Sequence, residues 1–493
     1  MFDNIPGAAG ATSGAMSADA AVDLQKALTA GYGTDMNTLT GGAALRIQSL
    51  DPVMQATIQE SSHFKLFNRL AKTRPTATVD EWTEQSAIGG FLGGSTNGET
   101  GIIQSATGTY NRRTGMVKYM MVRREVSVVQ TFQNAIADSE ALEYANGALQ
   151  LLSDAEYLMF DGDEEIVPTQ YSGIKAQLLS GVASGQVAPE NVIDMQGQPL
   201  NSIHPINRAA AQIRNLNNFG TATDVYWNVS CQQDMDNALD PAFRVPLSQV
   251  GDPGVKIGAP VVGIRTSGGN IATNEDIFIS PTEMRTPFEC SNPLVATQQN
   301  GIKPQSVTAD ASVTDASSKF NAPQAGTYYY AVAGVNAAGA STVLVSSQVA
   351  VAQGKKVVLT ITASAGGQET GYIVYRSRQN GPNVVLGSVP GEGSDFREIG
   401  RVKKTGSTVT WTDLNRDIPG TTEAYVLNLN PTQTAITWRQ FLPMFKFPLA
   451  AVNSAVIPWA QILAGYLRIT KRRQHVLIRN ILPNSAAWRP FAE

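Results

Sequence analysis

Two β-prone runs around a glycine-rich segment constrain the fold of this chain most strongly. From Thr76 the side chains alternate with a period of two, and residues 109–130 again favour a strand. Residues 89–101, which separate the two runs, are rich in glycine and suit a flexible tip. Residues 76–130 therefore predict a long β-arm. Because such an arm cannot bury both faces within its own domain, we expect it to be completed by contacts elsewhere.

The composition supports a chain that hides much of its surface. The 493 residues suggest two or three domains, and only 16% of them are charged, against about 25% in an ordinary soluble protein. Lys and Arg number 37 against 41 Asp and Glu, which excludes a nucleic-acid-binding protein built on bulk positive charge. Apolar residues make up 42%, which excludes a disordered acidic chain. This balance favours a subunit that buries its surface against copies of itself.

The clearest helical pattern covers residues 134–160, where apolar side chains recur at helical spacing. Residues 134–165 contain nine acids and no base, whereas residues 110–124 contain five bases and no acid. Acids at a helix C-terminus oppose the helix dipole, so the basic arm is a candidate source of compensating charge. The alternative, two solvated faces that never meet, stays open.

The remaining segments predict a mixed α+β chain in five parts. Residues 1–75 form an N-terminal arm and a leading helix that opens at Asp51-Pro52. The arm covers 76–130, and 131–300 hold the long helix followed by mixed α/β material, with helices at 206–220 and from 234 and a strand at 223–230. Residues 301–420 contain about seven short β runs, the number expected of an immunoglobulin-like sandwich inserted into a longer domain. Residues 421–493 return to the first core.

One segment has features of a membrane span, but its sequence favours a buried core segment. Residues 449–467 carry no charge and precede three basic residues, as an anchor would. Pro458 and the polar side chains within the segment argue instead for a buried piece of a large core. The N-terminus lacks the basic head of a signal peptide, and two cysteines cannot form a disulfide framework, so a reducing cytoplasm is favoured.

The search for catalytic or metal-binding residues identifies no strong candidate. The three histidines, His63, His204 and His475, are far apart in sequence, and no serine elbow, HExxH or CxxC motif occurs. The glycine-rich tip lacks the Lys-Ser/Thr of a phosphate-binding loop. Residues 161–165, DGDEE, lack the spacing of a calcium loop. We therefore predict no enzyme, no cofactor and no metal.

The order of these parts resembles the major capsid proteins of tailed bacteriophages, with the Hong Kong ninety-seven shell fold. The resemblance rests on the N-arm, the extended loop at 76–130, the acid-rich spine helix at 134–160 with its Phe-Asp-Gly-Asp exit (160–163), and the helix–strand–helix unit at 206–239. It covers about residues 50–300 and 421–493. It implies a peripheral domain of loop, spine helix and C-terminal strands, and an axial domain around 206–240. The insertion resembles the immunoglobulin or fibronectin III modules of some phage head proteins.

The resemblance implies a shell subunit of the virion that assembles in the host cytoplasm into hexamers and pentamers of an icosahedral head around double-stranded DNA, without sequence-specific binding. Portal, scaffolding and decoration proteins are the implied partners, and no membrane is involved. No long charged N-terminal scaffolding segment is seen, and no covalent cross-link is predicted. The alternative is an extracellular adhesin or a phage tail protein that binds glycan through its sandwich.

The charge segregation predicts which side chains meet between subunits. We expect bases of the loop to pair with acids at the exit of the spine helix in a neighbouring copy. The bases are Arg112, Arg113, Lys118, Arg123 and Arg124, and the acids are Asp161, Asp163, Glu164 and Glu165.

Overall fold

A computed structural model describes residues 63–132, 138–216, 218–238, 261–279, 285–287, 300–385, 394–452 and 454–491. The chain divides into two units, Met1–Ile58 with Phe132–Ser139, and Gln59–Thr131 with Glu140–Glu493. Nearly all of the first unit, with the predicted N-arm and most of the leading helix, lies outside the described residues. The five predicted domain boundaries stay a prediction.

The described residues form a mixed α+β structure, as predicted. The α-helices are α1 (Lys65–Arg69), α2 (Val128–Thr131), α3 (Ser139–Asp161), α4 (Ile174–Ala183), α5 (His204–Arg214) and α6 (Val229–Ala238). Short 3-10 turns cover Pro189–Asn191, Asn300–Ile302, Ala322–Gln324 and Arg472–Gln474. The strands are β1 (Lys72–Thr73), β2 (Val79–Ala87), β3 (Thr109–Met116), β4 (Lys118–Ser127), β5 (Val192–Asp194), β6 (Asp224–Trp227), β7 (Gly263–Thr266), β8 (Gly269–Glu275), β9 (Ser306–Asp310), β10 (Gly326–Tyr328), β11 (Tyr330–Asn336), β12 (Gly339–Ala340), β13 (Leu344–Val345), β14 (Val349–Val351), β15 (Val357–Thr362), β16 (Gly371–Ser377), β17 (Phe396–Lys403), β18 (Thr408–Asp413), β19 (Thr422–Leu427), β20 (Ile436–Pro448), β21 (Val456–Ile469) and β22 (Val476–Ile481).

The arm is shorter than predicted because its return run is divided at Val117. Strands β2 and β3 form an antiparallel hairpin of their own. Strand β4 instead pairs with β21 from the C-terminal region, in a four-stranded sheet of order β1-β20-β21-β4. Val117 is buried at the branch point, where its N–H donates to the carbonyl of Thr78. The prediction of one continuous return strand over 109–130 is therefore wrong, and only 79–87 and 109–116 project as a hairpin.

The spine helix α3 packs on the four-stranded sheet through a face that differs from the predicted one. Leu151, Ala155 and Met159 are fully buried there with Trp438 and Leu463. Of the predicted apolar positions, Phe160 is fully buried, Leu142, Leu149, Leu152 and Tyr157 are half-buried, and Ile136 lies outside the described residues. The helix continues one residue beyond the predicted end, to Asp161.

The uncharged segment at 449–467 is largely strand β21, in which Trp459, Leu463 and Leu467 are buried. The expectation of a buried core segment is thus confirmed for the second half of the segment, whereas residues 449–452, 454 and 455 are exposed. Among the described residues, no helix is long and apolar enough to cross a membrane.

A six-stranded sheet of order β5-β22-β19-β6-β8-β7 carries the second core, with α5 and α6 packed against it. Helix α5 ends at Arg214, before the predicted Gly220, because the chain folds back and Gly220 N–H donates to the carbonyl of Ile213. Helix α6 begins at Val229, earlier than predicted, because the Asn228 side chain accepts the N–H of Ser230 at 2.9 Å. The predicted strand between the two helices is β6, all four of whose residues are buried.

Residues 301–420 are all β apart from short turns among the described residues, as predicted. One sheet joins β11, β16 and β17, with β12 and β13 paired to β11, and a second has the order β18-β15-β9. Both contribute side chains to one apolar cluster that includes Tyr330, Val374, Leu359 and Val409. Strands β10 and β14 form a further pair. Two sheets around a shared core agree with a sandwich; the immunoglobulin-like class stays a prediction.

Candidate inter-subunit surface

The tip of the β2–β3 hairpin presents an apolar surface that no described part of the chain covers. Both strands are largely exposed, and the connection between them carries four large apolar side chains that are 77–89% exposed: Phe91, Leu92, Ile102 and Ile103. Large apolar side chains that cluster in one exposed segment often mark a site of contact with another protein. We name these four residues the apolar tip; their exposure agrees with an arm that is buried elsewhere.

The five predicted contact bases all have acidic partners within their own chain. Only Lys118 pairs with an exit acid, Glu164, at 2.7 Å, and it also donates to the carbonyl of Pro168 at 2.7 Å. The other pairs are Arg112 with Glu81, Arg113 with Glu84 at 3.9 Å, Arg123 with Glu125 at 2.7 Å and Arg124 with Glu143 at 3.1 Å. Arg123 and its partner are well exposed, so that pair contributes about 0–1 kcal/mol and leaves Arg123 available to a neighbour.

The exit acids occupy three different environments. Asp161 is buried against three cations of its own chain, with Arg285 at 3.1 Å, Arg401 at 2.8 Å and Lys175 at 3.9 Å. Burial would raise the pKa of Asp161, but Arg285 and Arg401 outweigh it and hold the pKa well below its usual value. This arrangement offsets the unfavourable position of an acid at a helix C-terminus.

The other exit acids are closer to the surface. Asp163 accepts the N–H of Glu165 at 2.9 Å, and Glu165 itself is exposed. Of the four acids, Glu165 is thus the one best placed to meet another subunit, whereas Glu164 is half-exposed and already pairs with Lys118, and Asp161 is buried.

Sequence reasoning missed the cations around Asp161. Arg401 lies on β17 in the inserted region, so the Asp161–Arg401 pair fastens that region to the spine helix. Tyr157, one turn before Asp161, donates to it at 2.8 Å and accepts from Arg401 at 3.2 Å. Arg285 lies 124 residues from Asp161 along the chain, and no local pattern predicts a contact at that separation.

A second buried cluster joins the spine helix to the first described helix. Glu156 is fully buried and accepts the N–H groups of Leu66 and Phe67 at 2.7 and 2.8 Å. Burial and the adjacent buried carboxyl of Asp276 raise the pKa of Glu156 far above its usual range, and burial also raises the pKa of Asp276. Two carboxyl groups in one dry site cannot both ionise cheaply, so this pair holds a proton at neutral pH.

We expect Asp276→Asn to flatten the pH dependence of stability. The folded pair binds a proton that the unfolded chain has released above about pH 4.5, so the pair makes the wild-type chain less stable as pH rises, by up to about 1.4 kcal/mol per pH unit. The variant removes one of the two carboxyls. Urea unfolding of the unassembled chain between about pH 5 and 8 measures the difference. Glu275→Gln, at the half-exposed neighbouring position, is the matched control; parallel profiles for wild type and Asp276→Asn would contradict the shared proton.

His204 and His475 lie in different environments in the structure. His204 begins α5 on the surface, whereas His475 is buried, and burial lowers its pKa to about 4. Among the described residues, no group of three or more His, Cys, Asp or Glu side chains is arranged to hold a metal ion.

Comparison with known proteins extends over nearly the whole chain. No family model matches it. Among solved structures, it resembles a chain of the capsid of an empty GTA particle (TM-score 0.44, 7% identity, covering 91% of this chain and 99% of that one). It also resembles a chain of Mycobacterium phage Bobi (TM-score 0.42, 10% identity, 90% and 98% covered). The holo-SrpI encapsulin complex of Synechococcus elongatus PCC 7942 gives a TM-score of 0.38 at 7% identity, with 90% and 95% covered.

The sequence relatives are more informative because they align from end to end. The major capsid protein of Staphylococcus phage K is 24% identical over 471 residues, covering 93% of this chain and 95% of that protein. The putative major capsid protein of Enterococcus phage phiEF24C is 25% identical over 474 residues, with 93% and 94% covered. These full-length relatives confirm the prediction of a major capsid protein of the virion over the adhesin or tail alternative.

Proposed function

We propose that this chain assembles into the hexamers and pentamers of an icosahedral phage head that encloses double-stranded DNA. The observation that carries the proposal is the similarity to major capsid proteins along 93% of the chain. An inserted or shared module alone would not extend through the hairpin, the spine helix and both sheets. The net charge of −4 suits an inner surface that does not bind packaged DNA tightly.

The proposed architecture is the Hong Kong ninety-seven shell fold with an insertion. The four-stranded sheet, α3 and the β2–β3 hairpin correspond to the peripheral domain with its extended loop, and the six-stranded sheet with α5 and α6 to the axial domain. The sheets of residues 301–420 correspond to the immunoglobulin-like insertion. Portal, scaffolding and decoration proteins remain proposed partners.

The proposed mechanism of assembly is positional rather than catalytic. A hairpin with exposed strands and an apolar tip lies over the adjacent subunit, where its side chains lose contact with water. Burying one large apolar side chain contributes about 1.5–3 kcal/mol. Because every subunit of a closed ring makes the same contact, this stabilisation is repeated around the ring. No chemical reaction is needed.

Imaging tests the proposed function directly. Full-length protein co-expressed with its head genes should give closed shells or isolated hexamers and pentamers in electron microscopy. Fibres, or monomers at high concentration, would instead show that the chain does not build a shell.

We expect Arg123→Glu to reduce the yield of closed shells at least tenfold while leaving the unassembled chain folded. Arg123 is 65% exposed and, among the described residues, it pairs with Glu125 two positions away, so the substitution costs little inside the chain. A neighbour that presents Glu164 or Glu165 to this position would meet a like charge instead. Particle counts and thermal unfolding measure the two effects; Arg123→Lys is the control. Normal particles from Arg123→Glu would remove this base from the interface.

A further inference from the structure

One face of strand β2 is held against a row of arginines from the C-terminal part of the chain. Side chains two apart on a strand share a face, so Asp80, Trp82 and Glu84 point the same way. They are less exposed than Val79, Glu81 and Thr83 on the opposite face. Facing them are Arg439 of β20, Arg468 of β21 and Arg472 of the turn that follows.

Asp80 is the first of the two acidic anchor points. Arg439 donates to both of its carboxylate oxygens, at 2.8 and 3.2 Å, Arg468 donates at 3.3 Å, and the Tyr466 hydroxyl donates at 2.6 Å. Burial would raise the pKa of Asp80, but these hydrogen bonds and charges keep it below its usual value. A carboxylate with this many donors is held in one position.

Glu84 is the second anchor point, four residues further toward the tip. It accepts from Arg472 at 2.9 and 3.3 Å, and Arg472 is fully buried. Between the two acids, Arg468 lies over the Trp82 ring, 5.9 Å from its centroid. The contacts alternate acid, aromatic ring, acid along 80–84.

The paired strand β3 is shaped to fit the same contact. Gly115 lies opposite Asp80 in the hairpin register. A Cβ atom at Gly115 would stand 2.4 Å from the ring of Tyr466, the residue that donates to Asp80. The absence of a side chain at this position lets the hairpin approach the sheet closely.

These contacts join the base of the hairpin to the body of the chain, where Trp82 packs against the main apolar core and Tyr466 is part of it. Beyond Glu84, toward the tip, both strands become largely exposed. The base of the hairpin is thus fixed at two points, Asp80 and Glu84, whereas its tip is exposed in the single chain. A small rotation at the base moves the apolar tip by a larger distance.

We propose that these contacts form a clasp that sets the angle at which the hairpin leaves the body and so positions its tip on the next subunit. The clasp consists of Asp80, Trp82 and Glu84 on β2 and the arginines that contact them, Arg439, Arg468 and Arg472. These are positioning residues. The inference rests on the proposed function, since the angle between hairpin and body governs the curvature of the shell that the copies build.

The double variant Asp80→Asn with Glu84→Gln tests the clasp. It keeps the shape and an acceptor oxygen at each position but removes both negative charges. In the unassembled full-length chain we expect amide hydrogen exchange in β2 and β3 to accelerate at least tenfold, while β20, β21 and α3 change less than twofold. With the head genes present we expect the yield of shells of wild-type diameter to fall at least tenfold, replaced by particles of other diameters or open sheets.

Glu81→Gln is the matched control, because Glu81 lies on the opposite face of the same strand and pairs with Arg112 within the hairpin. It should leave both measurements unchanged. Wild-type exchange rates in the double variant, wild-type diameter and yield despite faster exchange, or a double variant that fails to fold would each overturn the proposal. The last outcome would mean that the clasp supplies body stability instead of direction. If the wild-type chain itself forms no shells, the proposed function fails, and the exchange measurement still decides whether the clasp fixes the hairpin.

Discussion

Replacing the apolar tip residues Phe91, Leu92, Ile102 and Ile103 together by serine is expected to abolish closed shells without lowering the stability of the unassembled chain. In the single chain these side chains touch solvent, being 77–89% exposed, so their removal costs the fold almost nothing. At a subunit contact, burial of one such side chain contributes about 1.5–3 kcal/mol. Each 1.4 kcal/mol is a factor of ten in an equilibrium constant, so even one lost side chain per contact weakens association about tenfold.

The measurement compares particle yield with thermal unfolding for the same preparations. A matched control replaces Ser95, Thr96, Asn97 and Ser105 by alanine, four polar positions in the same connection. We expect the control to assemble, because it alters the tip sequence to a similar extent without removing apolar area. Closed shells at wild-type yield from the serine variant would show that the tip is not part of the subunit contact.

The period of the side chains predicted the elements well where one face is buried against a neighbour. The helical spacing over 134–160 corresponds to α3, whose buried side chains Leu151, Ala155 and Met159 lie on one stripe. The alternation from Thr76 corresponds to β2, where Asp80, Trp82 and Glu84 turn inward. Both patterns are local, because periodicity depends only on the spacing of residues that are close together in sequence.

Periodicity could not predict which residues these faces contact, because the contacting residues lie far away in sequence. Asp80 meets Arg439 across 359 positions, and β4 pairs with β21 across more than 300. The charge segregation between 110–124 and 134–165 predicted that bases of the arm meet acids of the helix exit, and Lys118 with Glu164 is such a pair within one chain. It did not reveal that Asp161 is already neutralised by Arg285 and Arg401, since neither cation stands near it in sequence.

A single substitution in the inserted region should also have a large effect on stability, because this region contains the buried ion pair Arg376–Asp413. Arg376 on β16 and Asp413 at the end of β18 belong to different sheets, and their side chains meet at 2.6 Å with almost no solvent exposure. Tyr330 donates to the same carboxylate at 2.9 Å, and the guanidinium lies 5.3 Å from the ring centroids of both Phe320 and Tyr328. The pair thus ties the two sheets together.

We expect Arg376→Ala to destabilise residues 301–420 by about 3–5 kcal/mol, because it leaves the Asp413 carboxylate buried without its cation. Urea unfolding of the unassembled chain, with amide exchange in β15 as the local readout, measures the loss. Lys356→Ala is the control: its pair with Asp315 is partly exposed on both sides, so it should cost far less than Arg376→Ala. Replacing both partners by apolar residues, Arg376→Met with Asp413→Leu, should recover part of the stability, since no unpaired charge is then buried, although the Tyr330 hydroxyl loses its acceptor. An Arg376→Ala loss as small as that of Lys356→Ala would mean that water or other side chains solvate Asp413, and that the two sheets are held by their apolar core alone.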